Sequence, residues 1–169
     1  RRRGPQQAMK RKPLVAGNWK MNGTLEQAVA LTRGVLQAMP ASTEVEVALC
    51  PPYTALAKVA ELIRETSIRL AAQDAHWEEK GAYTGEVSVP MLKEIGCHYV
   101  IIGHSERRQL FGESDAAVQK KASSVLRQGL GAIVCVGEVK EVRQQGRTWA
   151  LVEQQLNAGL EGISADQAK

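Results

Sequence analysis

The sequence predicts an α/β protein built on a parallel sheet, and three observations carry that reading. Short apolar runs of Val, Ile, Leu and Ala alternate with helical stripes at a step of about 25–30 residues, the size of one βαβ step. Only 4% of residues are aromatic, so the core must rest on aliphatic side chains. Runs of that kind suit strands buried on both faces, which favours a parallel sheet over a β-sandwich. At 169 residues and 44% hydrophobic, the chain can bury one good core and not two. No linker or shift in composition marks a second domain.

The first strand is expected over Leu14-Val15-Ala16-Gly17, delivering Asn18-Trp19-Lys20 to its carboxyl end. Thr24-Leu25-Glu26-Gln27 has the spacing of a capping box; Ala28, Leu31, Val35 and Met39 then recur at helical spacing, and Pro40 closes the helix. Residues 44–50 alternate Val45, Val47 and Leu49 and stop at Pro51-Pro52. Leu56, Val59, Ala60 and Ile63 make the next stripe, and a third strand covers 68–72. A long polar loop runs from Gln73 to about Ser88, followed by a short helix from Pro90 to Ile95 with Gly96 as its left-handed cap. Tyr99-Val100-Ile101-Ile102 is the fourth strand. Ser114 and Asp115 open a helix with Val118, Ala122, Val125 and Leu126 on one face, and Gly129 ends it. Ala132 to Val136 is the fifth strand. After a polar stretch, Thr148 caps a last helix carrying Val152, Leu156 and Leu160.

Arg1, Arg2 and Arg3 supply three of the four net positive charges. Met9-Lys10-Arg11-Lys12-Pro13 reads as a natural start, so residues 1–8 are expected to be an upstream extension or an expression remnant. Without interleaved aromatics or a later basic stripe, the arginines read as a solvated tail rather than a nucleic-acid site. Cys50, Cys97 and Cys135 lack CxxC spacing and fit buried thiols in a reducing compartment. The sequon Asn22-Gly23-Thr24 follows no signal peptide and reads as a turn and cap, and no apolar stretch approaches membrane-spanning length. The expected setting is cytoplasmic, with neither a nucleic-acid nor a membrane partner.

The chemistry concentrates where strands end. Gly103-His104-Ser105-Glu106-Arg107-Arg108 follows the fourth strand directly, and Asn18-Trp19-Lys20 follows the first. In α/β sheets that edge houses function. His104 alone would read as a structural loop histidine, and Lys20 alone as a surface cation. Together with Glu106 they form a titratable cluster suited to acid–base work on an anionic substrate. Competing motifs fail: His104-Ser105-Glu106 has no P-C-x-x-C partner for a zinc deaminase, and His76 and His98 lack zinc-ligand spacing. Gly129-Leu130-Gly131 precedes its strand, and no phosphate loop is present. No metal or nucleotide cofactor is implied.

These segments resemble one family. Ala16-Gly17-Asn18-Trp19-Lys20-Met21-Asn22 is similar to the first-strand motif of the triosephosphate isomerases, and Gly81-Ala82-Tyr83-Thr84-Gly85-Glu86 to their long third loop. The run from Tyr99 to Arg108 resembles their fourth strand and electrophile loop, and Cys135-Val136-Gly137-Glu138 their fifth strand. The likeness runs from about Lys12 to the end. It implies a partial TIM (β/α)8 barrel over residues 9–169, about five parallel β/α units with open sheet edges. It also implies interconversion of glyceraldehyde 3-phosphate and dihydroxyacetone phosphate, a step of glycolysis and gluconeogenesis, with no cofactor. By the resemblance Lys20 binds the substrate phosphate, Asn18 positions it, and His104 is the neutral imidazole that stabilises the enediolate. For that last behaviour the family is itself the standard worked case, attributed to a helix N-terminus. Ser105 and Glu106 would tie His104 and Lys20 into one network. Thr84, Gln73 and Glu86 would lie at an interface with a second copy in a homodimer or higher homo-oligomer, Thr84 reaching the neighbouring site. Asp74 stands where many relatives are expected to carry Asn.

Barrels of this family have eight units and about 250 residues. The family's base, a glutamate after the sixth strand, has no counterpart segment here, nor do its lid and later phosphate-binding loops. Glu106 and Glu138 are poorly placed to replace the base. The chain is therefore expected to be a truncated family member, inactive alone. The alternative is a non-catalytic partial-barrel module for self-association, or one half of a split enzyme. In either case the edges at Leu14–Gly17 and Ala132–Val136 are expected to favour association.

Overall fold

The computed structural model describes residues 12–40 and 44–168. The expected 1–8 extension and the Met9 start lie outside the described residues. The strands are β1 (Leu14–Asn18), β2 (Glu46–Cys50), β3 (Arg69–Ala72), β4 (Tyr99–Ile102) and β5 (Gly131–Val134). The helices are α1 (Leu25–Ala38), α2 (Tyr53–Ile63), α3 (Val89–Ile95), α4 (Ser105–Leu110), α5 (Asp115–Arg127), α6 (Lys140–Gln144) and α7 (Thr148–Gly159). The five strands lie in sequence order, every neighbouring pair parallel, with β1 and β5 at the edges. This is the arrangement of five consecutive units of a (β/α)8 barrel, as the sequence implied.

Alternation along the strands sorts side chains into two layers. Leu49, Leu70, Ala72, Val100 and Ile102 face the helices and pack with Leu56, Val59, Leu92, Val118, Ala122 and Val125. The other face carries Ala48, Cys50, Ala71 and Ile101, with Tyr99, Ile133 and Cys135 against them. Small residues there let the sheet curl. Register brings Asn18 beside Cys50 and Ile102 beside Val134, so the carboxyl ends form one rim.

Local signals explain most boundaries. Thr24 and Gln27 exchange both hydrogen bonds of the capping box at the head of α1. Gly96 caps α3 at φ 99°, and the Ser114 hydroxyl accepts from the Ala117 amide to start α5. Two helix faces differ from expectation. On α1 the buried residue is Thr32, not Leu31, which is 51% exposed. Thr32 Oγ1 donates to the Ala28 carbonyl at 2.8 Å, so its hydroxyl is satisfied inside the helix and can be buried. On α7 the buried residues are Gln155 and Gly159, while Leu156 and Leu160 remain partly exposed. The Gln155 side chain exchanges hydrogen bonds with the Gly137 backbone at 2.8 and 3.2 Å, and Gly159 lets α7 approach Val118 of α5. Thr148 is the first residue of α7 rather than its cap, because its hydroxyl donates to Glu138. The polar stretch before it holds α6, which has no buried residue and hence no hydrophobic stripe to read.

Candidate active site

Gly103 makes the turn that aims His104 along the rim. It has φ 68°, and a Cβ there would meet Val118 Cγ2 at 2.9 Å and the Cys135 carbonyl at 3.3 Å. Only glycine accepts both the left-handed backbone and the crowding. His104 then caps α4: the Glu106 amide donates to His104 Nδ1 at 3.2 Å. An Nδ1 that accepts carries no hydrogen, so the ring's hydrogen sits on Nε2. The Glu106 carboxylate lies 3.5 Å from the same Nδ1. With Nδ1 accepting from the amide, that contact is a near neighbour and not an ion pair.

Lys20 arrives from the other side. It holds φ 55°, the one non-glycine residue at positive φ among those described, a conformation that costs about 1–3 kcal/mol and gathers at functional sites. Its amide donates to Asn18 Oδ1 at 2.9 Å, and its carbonyl accepts from Gln73 Nε2 at 2.9 Å. The same Gln73 amide nitrogen donates to the Cys50 carbonyl at 2.8 Å. Lys20 Nζ lies 2.7 Å from Glu106 Oε1, and that bond holds the Glu106 carboxyl below its ordinary range. Both groups are half exposed, so the pair fixes geometry more than it stabilises the fold.

Asn18, Lys20, His104 and Glu106 thus converge, and they line one cleft of about 200 Å³ with Tyr53, Gln73, Asp74, Arg107 and Phe111. A second cavity of about 230 Å³ lies at the amino ends of the strands, beside Arg64, Arg69 and His98, away from this cluster. Ser105 is exposed on the first turn of α4, and Glu106 is the side chain that bridges Lys20 and His104. Thr84 and Glu86 are exposed on the third loop, apart from the cleft, whereas Gln73 is bonded within the chain. That loop is anchored from below: His76 stacks on Trp77 and lies against Tyr83, both at 4.3 Å, and Lys120 sits over the Trp77 ring. Burial pushes the Cys50 and Cys97 thiols up to about 12, which removes them as nucleophiles. Glu138, expected to be poorly placed as a substitute base, accepts from Arg143 at 2.7 Å and Thr148 at 3.2 Å.

Four features were not anticipated from sequence. Arg108 donates to the carbonyls of Gly103 and Cys135 and to Asp115, locking the turn beneath His104. Arg107, Asp74, Glu113 and Lys121 form a charged group under the cleft. Gln73 supports Lys20 inside its own chain. Tyr53 donates to the Asp74 carbonyl at 2.6 Å. The partners of Gln73, of Tyr53 and of the Lys121–Asp74 pair lie 21 to 53 residues apart and leave no local signal.

Such a site can hold an anionic group at Lys20 and present a hydrogen from His104 Nε2 to a carbonyl oxygen, the electrophilic half of proton transfer beside a carbonyl. Residues 13–169 match the family model for triosephosphate isomerase. The chain is 49% identical over 159 residues to the triosephosphate isomerase of Herpetosiphon aurantiacus, covering 94% of this chain and 64% of the relative. It is 50% identical over 161 residues to that of Acetivibrio thermocellus, covering 95% and 64%. For the enzyme of Thermoanaerobacter pseudethanolicus the figures are 50% over 156 residues, 92% and 62%. The chain therefore spans a little under two thirds of the length of these curated relatives.

Proposed function

The chain belongs to the triosephosphate isomerase family, and from that premise we propose that it supplies the electrophilic half of a triose phosphate isomerase site. Lys20 attracts the substrate phosphate, Asn18 and Gln73 hold Lys20 in position, and His104 donates from Nε2 to the oxygen that becomes the enediolate. The observation that carries this reading is the His104 hydrogen-bond pattern. The Glu106 amide on Nδ1 leaves Nε2 as the ring's donor, and His104 lines the same cleft as Lys20.

Carbon deprotonation requires a carboxylate within hydrogen-bond reach of the carbon-bound proton. Glu106 is committed to Lys20, and Glu138 to Arg143 and Thr148. A polypeptide of these 169 residues, assayed alone, is therefore proposed to be inactive. The exposed strand β1 and the apolar rim around the cleft favour association. The partner is a second copy reached through Thr84 and Glu86 of the third loop, or a separate chain completing the barrel as in a split enzyme. Among the described residues no helix is long and apolar enough to cross a membrane; the reading places the protein in the cytoplasm with the other triose phosphate chemistry of glycolysis and gluconeogenesis.

The test is complementation. Adding a fragment with the last three units of a relative is expected to restore interconversion of the two triose phosphates, and His104→Gln in this chain to abolish it. Restored turnover that ignores His104→Gln would sink the assignment.

A further inference from the structure

Beneath the cleft lies a closed ring of alternating charge. Asp74 accepts from Lys121 Nζ at 2.8 and 3.0 Å, Lys121 also contacts Glu113, Glu113 lies 3.4 Å from Arg107 Nε, and Arg107 Nε lies 2.9 Å from Asp74 Oδ2. Asp74 and Lys121 are 6% and 4% exposed. Two anions and two cations balance. Burial pushes the Asp74 carboxyl above its ordinary range, against the pull of Lys121 and Arg107, so ionised Asp74 depends on both cations.

The ring gathers three segments: the loop after β3 (Asp74), α4 with the turn beyond it (Arg107, Glu113) and α5 (Lys121). Two of its members adjoin the residues that shape the site. Gln73, next to Asp74, holds the strained Lys20 carbonyl; Glu106, next to Arg107, bridges Lys20 and supplies the amide on His104 Nδ1. We propose that Asp74 is a positioning residue of the isomerase site, tying α4 to the loop after β3 so that His104 and Lys20 move as one body. The inference rests on the reading of His104 and Lys20 given above.

Asparagine, the residue expected in many relatives, would keep an oxygen for Lys121, whereas alanine would remove both that acceptor and one anion. The ring would then carry an uncompensated cation, and Arg107, the more exposed of the two, is the one that can turn to water. α4 would lose its tether to the loop after β3, and the amide contact on His104 Nδ1 would loosen with it. The Arg107 Nε–H is not aligned as a hydrogen bond on either carboxylate, so charge holds that side of the ring.

The test uses the full chain labelled with ¹⁵N, reading the His104 ring nitrogens and titrating inorganic phosphate. In the unsubstituted chain Nδ1 should show the shift of an unprotonated nitrogen and Nε2 that of a protonated one. In Asp74→Ala, with the fold retained by circular dichroism, both shifts should move toward the tautomer mixture of free histidine. Phosphate affinity should weaken about 3–10-fold. If Asp74→Ala fails to fold, Arg107→Gln, which removes the charge, should give the same His104 shifts. Shifts identical to the parent in the folded variants would overturn the proposal. A parent chain whose His104 signals ignore phosphate would instead overturn the isomerase reading, and the variants' shifts would still decide whether Asp74 orients the imidazole.

Discussion

Lys20 is strained because the chain must leave β1 and turn its ammonium group into the cleft within two residues. Asn18 holds the amide side of the strained residue, and Gln73 the carbonyl side. Gln73 therefore has a measurable role. Gln73→Ala removes two hydrogen bonds and the external support for the strain, and should lower unfolding free energy by about 2 kcal/mol in urea titration. An unchanged midpoint would mean that Lys20 keeps φ 55° by its own turn. Hydrogen bonding from Lys20 lowers the Glu106 carboxyl. A depressed folded-state value leaves the pair intact above the ordinary carboxylate range, and it opens only as pH falls through the lowered value. In a carboxyl ¹³C titration Glu106 should titrate below the ordinary carboxylate range, and Lys20→Met should return it to that range. At this scale the sequence was informative about His104, Glu106, Lys20 and Asn18, whose residue types at strand ends announce chemistry. It offered Gln73 only as an interface residue by resemblance and missed its support of Lys20, because its partners are 23 and 53 residues away.

Strands and helices were legible where one face is apolar, and illegible where a polar group is buried through a bond of its own. Thr32 and Gln155 belong to the second kind, and α6 has no apolar face to read. Gly131 shows a third kind. In sequence it is half of a Gly-x-Gly with the wrong placement for a dinucleotide turn. In the sheet it pairs with Tyr99, and a Cβ there would lie 2.4 and 2.6 Å from that ring. Tyr99 cannot swing away freely, since its hydroxyl is bonded to Glu46, which Arg69 also contacts. Gly131→Ala should therefore cost about 1–3 kcal/mol. Adding Tyr99→Leu should recover much of that loss, a coupling that a thermal-denaturation double-mutant cycle would read. Additive effects would show that the ring has room to move. The polar cluster of Glu46, Arg69 and Tyr99 was hidden from sequence because its members start three different strands.

Across the whole molecule, the order of five parallel units followed from the alternation of elements, and the curl from small residues on the inner face. The surface left by that architecture is unusual for an isolated chain. Met21 is 95% exposed and Phe111 69%, both lining the cleft, with Leu110 exposed next to Phe111 and Tyr53 of the same cleft partly so. Singly such residues need no explanation, but several around one rim fit the proposal that a partner covers this surface. Edge strand β1 adds unpaired backbone along an exposed strand. Two kinds of association then compete: rim to rim, giving a closed pair, or edge to edge, which need not close. The rim is the more specific surface, because its exposed apolar side chains, Met21 and Phe111, border a shaped cleft. Sedimentation velocity at micromolar concentration should therefore show a dimer or larger species. Phe111→Asp, which places a charge on the rim and leaves β1 untouched, should shift it toward monomer. A dimer indifferent to Phe111→Asp would move the interface to the strand edges, and a monodisperse, cooperatively unfolding monomer would show that the apolar rim needs no partner at all.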